Sequence, residues 1–280
     1  MHVQWTDLGS LLTSPLGVFW FVLGTFFGSF FNVCIYRIPL KIFWKNKRSH
    51  CPACNALIPF WYNIPLVSWL VLRGRAACCG ASISVRYPLV ELLSGLLFVT
   101  IYHCFPFVLG WQGHLQLDPA NFLRFMHAIV FVSLLLICSF IDLQYMIIPD
   151  VISLPMIAVT PLVVYLHPDL DWKSALFGIL LGGGLFYAVA WLYFLLRREA
   201  GLGMGDVKLL AAIGGWLGYQ SIITTIFWGS LLGSFVGLGL IVFKGKMSLK
   251  TRLPFGPFLS LAAILYLLWG HQLSDMMIAF

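Results

Sequence analysis

FLRFMHAIVFVSLLLICSFIDLQYMIIPD, residues 122–150, is the stretch whose reading decides the fold. Its apolar run, 122–142, has the length of about 20 residues that a helix needs to cross a bilayer core. It closes on a carboxylate, Asp142. Ionisable side chains at membrane depth are costly, so one placed there is a functional candidate by default. Pro149 removes a backbone donor and breaks the helix after Asp142. Asp150 is then positioned to cap the next apolar segment. A second carboxylate of the same kind follows 64 residues later, where Gly203-Met204-Gly205-Asp206-Val207-Lys208 opens another apolar segment.

Composition supports a membrane reading throughout. The chain is 60% hydrophobic and 10% charged, against about 25% charged in soluble domains. The spacing predicts eight membrane segments, at 16–36, 87–109, 122–142, 150–167, 174–196, 206–219, 220–243 and 254–273. Residues 64–72 are apolar but too short to span, and are expected within a loop or at the interface. Residues 1–15 lack Lys and Arg, so 16–36 reads as a retained span rather than a cleaved signal.

Residues 37–86 hold eight basic side chains and no acidic one. Such a block marks the cytoplasmic side, and topology rather than nucleic-acid binding is its expected cause. With that loop inside and both termini outside, 15 of the 17 Lys and Arg fall on the cytoplasmic side. Asp142 and Asp206 then share that face, at the end of the third span and the start of the sixth.

Two carboxylates on one face suit peptide hydrolysis without a metal. One accepts a proton from water while the other donates one to the carbonyl or the leaving amine. Two charges ~4 Å apart at an effective dielectric of ~20 repel by roughly 4 kcal/mol, so the pair shares a proton and titrates as a unit. Gly203 and Gly205 are expected to give the backbone unusual conformations and room for an extended substrate. A non-enzymatic alternative is a proton-coupled transporter carrying Asp142 and Asp206 as proton sites. An inverted repeat would favour it.

Several further stretches resemble one family. Residues 28–39 (GSFFNVCIYRIP), Cys51-Pro52-Ala53-Cys54, residues 63–70 (NIPLVSWL), Arg73-Gly74-Arg75 and residues 83–91 (ISVRYPLVE) resemble the bacterial type IV prepilin peptidases, and the two aspartate motifs follow in the family order. The resemblance implies a membrane aspartic protease of the Gly-x-Gly-Asp type with Asp142 and Asp206 as its catalytic pair. It implies removal of the basic leader of prepilins or type II secretion pseudopilins at the cytoplasmic face of the bacterial inner membrane. It also implies N-methylation of the new terminus with S-adenosylmethionine. A different Gly-x-Gly-Asp intramembrane protease, of the presenilin or signal-peptide-peptidase kind, is the alternative; those lack a cysteine loop.

Cys51 and Cys54 form a Cys-x-x-Cys knuckle, with Cys78 and Cys79 later in the same loop. In a reducing cytoplasm this reads as structural zinc held by four thiolates. The sequence departs from the family pattern, because Ala76 stands where the first cysteine of the second pair is usual. Cys78 or His50 is the expected substitute. Cys34, Cys104 and Cys138 read as packing residues.

Glu91, about one turn into the second span, is expected to pair with Arg86 or Lys208, or to serve methyl transfer. Lys208 is expected to hold a carboxylate charged or to reach lipid phosphate. Asn32 is a candidate interhelical hydrogen-bonder, and Gly182-Gly183-Gly184 with Gly229, Gly233 and Gly237 read as close helix packing. Asp150, Glu199, the dyad itself or anionic lipid is expected to receive the basic leader. The expected architecture is an all-α polytopic membrane protein of about eight transmembrane helices in the lipid bilayer. It comprises an N-terminal segment and first helix (1–37), a basic cysteine-containing loop subdomain (38–86) and a protease core (87–280).

Overall fold

The computed structural model describes residues 14–43, 50–51, 53–111, 114–198, 203–244 and 253–278. The protein is an all-α polytopic membrane protein. The chain divides into two compact units, Met1–Phe125 and Met126–Phe280.

In the first unit, α1 (Pro15–Arg37) starts where the Ser14 hydroxyl accepts the Gly17 N–H at 3.0 Å, with proline in the first helical position. It packs antiparallel on α3 (Arg86–Cys104). The two backbones meet closely because glycines face one another: a Cβ on Gly24 would lie 2.7 Å from the Ser94 carbonyl, and one on Gly28 2.7 Å from the Glu91 Cα. With no hydrophobic drive between helices in lipid, such small-residue contact is what holds them. Asn32 donates its Nδ2 to the Tyr87 carbonyl at 3.0 Å, the interhelical bond expected of it. Trp20, Tyr102, Phe107 and Phe125 form an aromatic cluster with edge-on and stacked rings 4.6–6.1 Å apart.

The span expected at 87–109 stops at Cys104 instead. The chain there leaves the helix and forms an antiparallel hairpin, β1 (Val108–Trp111) with β2 (His114–Leu117). Pro106 ends the helix, since a proline removes a donor and restrains the residue before it. The segment at 64–72 is too short to cross, as expected: it holds α2 (Val67–Val71), preceded by a 3-10 turn at Phe60–Asn63.

Helix α4 (Pro119–Tyr145) runs from the first unit into the second and ends at Met146, whose φ of 54° stops helical propagation. The segment expected at 150–167 is two helices, α5 (Asp150–Ala158) and α6 (Thr160–Leu166), parted at Val159 between Pro155 and Pro161. Then follow α7 (Trp172–Arg197), α8 (Met204–Leu217), α9 (Gln220–Lys244) and α10 (Gly256–Ile278). Helices α7 and α8 touch backbone to backbone where Gly178 meets Gly214, and a Cβ on Gly182 would reach the Leu210 carbonyl at 2.5 Å. Gly229 and Gly233 face Leu259 and Phe258 of α10, so these glycines serve packing, as read from their spacing. Among the described residues, five helices are long and apolar enough to cross a membrane: α1, α3, α4, α7 and α9. The other expected segments, in α5–α6, α8 and the Gly256–Gly270 part of α10, which kinks at Trp269, are shorter apolar stretches.

Helix α8 is also fixed by a polar bond. Trp216 donates its indole N–H to the Met156 carbonyl at 2.8 Å in a buried setting. Trp216→Phe is expected to lower stability by about 0.5–1.5 kcal/mol, because one hydrogen bond is lost while the Met156 carbonyl keeps the Thr160 hydroxyl at 3.3 Å. Thermal unfolding in detergent would measure it.

Candidate active site

Asp142 occupies the last turn of α4, where its own carbonyl accepts the Met146 N–H that closes the helix. Its side chain is buried, and Oδ2 accepts the backbone N–H of Gly256, the first residue of α10, at 3.0 Å. Asp206 lies in the first turn of α8, half-buried. A carboxylate in a first turn is favoured by the helix dipole. Both aspartates therefore come from helix ends, one C-terminal and one N-terminal.

They share one neighbourhood. A Cβ on Gly256 would stand 2.7 Å from Asp142 Oδ2 and 3.2 Å from Ile148 Cδ1; one on Gly205 would stand 3.0 Å from Ile148 Cβ. Ile148 thus lies between the helix end that presents Asp142 and the residue preceding Asp206. Asp142 is near enough for its charge to act on Asp206.

Neither Gly203 nor Gly205 is required by its backbone conformation. Gly203 has φ −71° at the N-cap of α8, and Gly205 is helical; any residue adopts such backbone. Close approach favours glycine only at 205, where a Cβ would stand 3.0 Å from Ile148 Cβ; one on Gly203 would make an ordinary 3.4 Å contact with Asp206 Oδ2.

Two polar expectations change. Asp150 does not cap α5, since Pro149 holds the N-cap position without a side-chain bond. Asp150 instead pairs with Lys208 at 2.6 Å. Lys208 thus holds Asp150, rather than a member of the dyad or Glu91. Both side chains of the pair are partly exposed, at 30% and 58%. Lys208→Met is expected to shift stability by no more than about 1 kcal/mol, read by thermal unfolding. Glu91 is buried, and its Oε2 accepts the Leu66 backbone N–H at 2.8 Å, while Lys208 is held by Asp150. Glu199 lies outside the described residues.

The loop cysteines converge. The sulfurs of Cys51, Cys54, Cys78 and Cys79 all lie within 4.8 Å of one another. Cys54–Cys78, Cys51–Cys79 and Cys78–Cys79 are 3.3, 3.7 and 3.9 Å apart. Four thiolates at 2.3 Å from a tetrahedral zinc would be spaced by ~3.8 Å, so the donor set fits such an ion. A metal such as zinc can be held there, and the fourth donor is a thiol rather than His50.

Two matching turns build the cluster. Asn55 N–H bonds to the Cys51 carbonyl and Cys51 N–H to the Ala56 carbonyl; Gly80 N–H bonds to the Ala76 carbonyl and Ala76 N–H to the Ala81 carbonyl. Asn55 and Gly80 have φ of 57° and 70°. Ala76 therefore holds the place in the second turn that Cys51 holds in the first, and Cys78, two residues on, supplies the missing sulfur. Backbone N–H groups of Cys54 and Ala53 pull the Cys51 thiol down to about 6. The neighbouring Cys54 sulfur pushes Cys78 up to about 12. A cation is what allows all four to ionise together.

Sequence reasoning missed Gly256. Its contribution is a backbone N–H and the lack of a Cβ. The available signal was a Gly-Pro pair opening an apolar segment.

Comparison with known proteins identifies the family. Residues 22–105 match the family described as "Bacterial Peptidase A24 N-terminal domain", and residues 129–238 match the "Type IV leader peptidase family". A relative from Aeromonas hydrophila named "Prepilin leader peptidase/N-methyltransferase" is 36% identical, over 91% of each chain. Relatives of the same name from Stutzerimonas stutzeri and Pseudomonas aeruginosa are each 34% identical over 90% of each chain. No solved structure matches the chain.

Proposed function

The chain belongs to the type IV leader peptidase family, and we propose that it removes the basic leader from type IV prepilins or type II secretion pseudopilins and N-methylates the new terminus. It acts as a multi-pass protein of the bacterial inner membrane with its site toward the cytoplasm. The observation that carries the reading is the meeting of Asp142 and Asp206 around Ile148, at two helix ends. Helix ends are where a pilin precursor's basic leader gives way to its apolar helix.

Asp142 and Asp206 work as one acid–base unit. One carboxylate accepts a proton from the water that attacks the scissile carbonyl, while the other group donates its proton to the carbonyl oxygen. When the tetrahedral adduct collapses, the C–N bond breaks and the leaving amine takes a proton from the dyad. The Gly256 N–H fixes the orientation of the Asp142 carboxylate. Asp150 is engaged by Lys208, which leaves Glu199, the dyad and anionic lipid as the counter-charges for the basic leader.

S-adenosylmethionine supplies the methyl group for the second reaction. Zinc on Cys51, Cys54, Cys78 and Cys79 is structural and ties the two turns of the loop together. Metal analysis of the purified protein is expected to give one zinc per chain. Cys78→Ala is expected to lose it, and Ala76→Cys added to Cys78→Ala to restore it, because residue 76 holds the place equivalent to Cys51.

The test of the function is incubation of the purified protein with a model prepilin, with and without S-adenosylmethionine, read by mass spectrometry. The expected products are the free leader and a mature chain bearing one added methyl group only when the donor is present. Proton-driven flux in proteoliposomes without cleavage of any prepilin would favour the transporter instead.

A further inference from the structure

The loop between α1 and α3 carries a feature that leader cleavage does not use. Leu66 has φ 60° and ψ −50°, and the Val67 N–H bonds back to the Pro65 carbonyl at 2.6 Å. This is a γ-turn of the rare positive-φ kind, which non-glycine residues adopt only when their surroundings impose it. What imposes it is Glu91, whose carboxylate takes the Leu66 N–H at 2.8 Å.

The depth of that bond is fixed by the helix pair. Asn32 is level with Tyr87 through their hydrogen bond, and Gly28 is level with Glu91 through their close approach. At 1.5 Å per residue, Glu91 lies ~7.5 Å along α3 from Arg86 and Gly28 ~13.5 Å along α1 from Arg37, so their shared level is at least ~7 Å in from the basic end of either helix. Basic residues at span ends stay at the headgroups. Leu66 is therefore below headgroup level, so this part of the loop returns into the leaflet.

The side chains flanking Leu66 agree with that depth. Phe60, Trp61, Val67, Leu70 and Val71 are exposed, Phe60 at 79% and Val71 at 73%. An apolar cluster of this kind in water would be unusual, whereas interfacial lipid is its ordinary surrounding. Residues 37–86 contain no acidic side chain, so the surrounding charge suits anionic headgroups.

We propose that residues 60–71 form a re-entrant interfacial element, seated in phospholipid of the leaflet on the loop side, with Glu91 as the residue that positions it through Leu66. The loop that carries the cysteine cluster is thereby pinned to the membrane surface rather than projecting from it.

The experiment uses the full-length protein in nanodiscs of phosphatidylethanolamine and phosphatidylglycerol. A benzophenone amino acid is placed at Phe60 or Leu70, with Asn55 of the knuckle as a comparison, and adducts are identified by mass spectrometry. Phospholipid adducts at 60 and 70, several-fold above those at 55, are expected. Glu91→Leu, with helix content checked by circular dichroism, is expected to reduce the adduct at 70 several-fold. Glu91→Gln, which keeps an accepting oxygen for the Leu66 N–H, is expected to retain it. Absence of phospholipid adducts at 60 and 70, or lipid adducts there no more frequent than at 55, would overturn the proposal. So would adducts at 60 and 70 formed only with added prepilin and attached to it. An unchanged adduct yield in a folded Glu91→Leu protein would overturn the positioning role.

Discussion

Asp142→Asn and Asp206→Asn are each expected to slow prepilin cleavage by about 10²–10⁴-fold, the usual contribution of a positioned acid or base. The amide keeps the size of the carboxylate but neither accepts a proton from water nor donates one as an acid. Folding should survive both changes. Asp142 sits on a helix end and holds the Gly256 N–H through Oδ2, and asparagine offers an oxygen to the same donor. Asp206 is half-buried in the first turn of α8, where asparagine is tolerated. A loss of cleavage with unchanged helix content and thermal unfolding would therefore report chemistry rather than collapse. Wild-type rates in either variant would remove that residue from the mechanism.

Gly256→Val is expected to cost about 10²-fold in cleavage or more, since displacing a catalytic group by about an ångström has that effect. A Cβ at this position would stand 2.7 Å from Asp142 Oδ2 and 3.2 Å from Ile148 Cδ1. The neighbour that must yield is the carboxylate itself. Valine also adds two methyl groups at the start of α10, whereas Gly256→Ala adds one and should fall between it and the wild type. Leader release assayed beside thermal unfolding separates the two effects. Equal rates for all three proteins would show that Gly256 does not set the position of Asp142.

The carboxylates were legible in the sequence because a charge at the edge of an apolar run stands out against its surroundings. The distribution of basic residues set the expectation that they share one membrane face. The cysteine cluster was legible for a related reason: the thiols occur in one loop at ligand spacing. What remained hidden was whatever depends on backbone atoms. Gly256 contributes an N–H, which nearly every residue has, across 114 positions of sequence. Glu91 was visible as a charge near a span, but its bond to the N–H of Leu66 was not. Hydropathy also overran the second span into residues 105–109, because β1 is as apolar as a helix end. The break at Val159 was hidden in the same way, since α5 and α6 read as one apolar run and only their prolines mark the division.

The central claim is that Asp142 and Asp206 act as one unit, and a double-mutant cycle tests it most directly. Cleavage of one prepilin is measured for the wild type, Asp142→Asn, Asp206→Asn and the double variant, at the same pH and with folding verified. Groups that act together are strongly non-additive, so the double variant is predicted to be no slower than the slower single variant. Losses that multiply in the double variant would contradict the shared role and describe two independent residues.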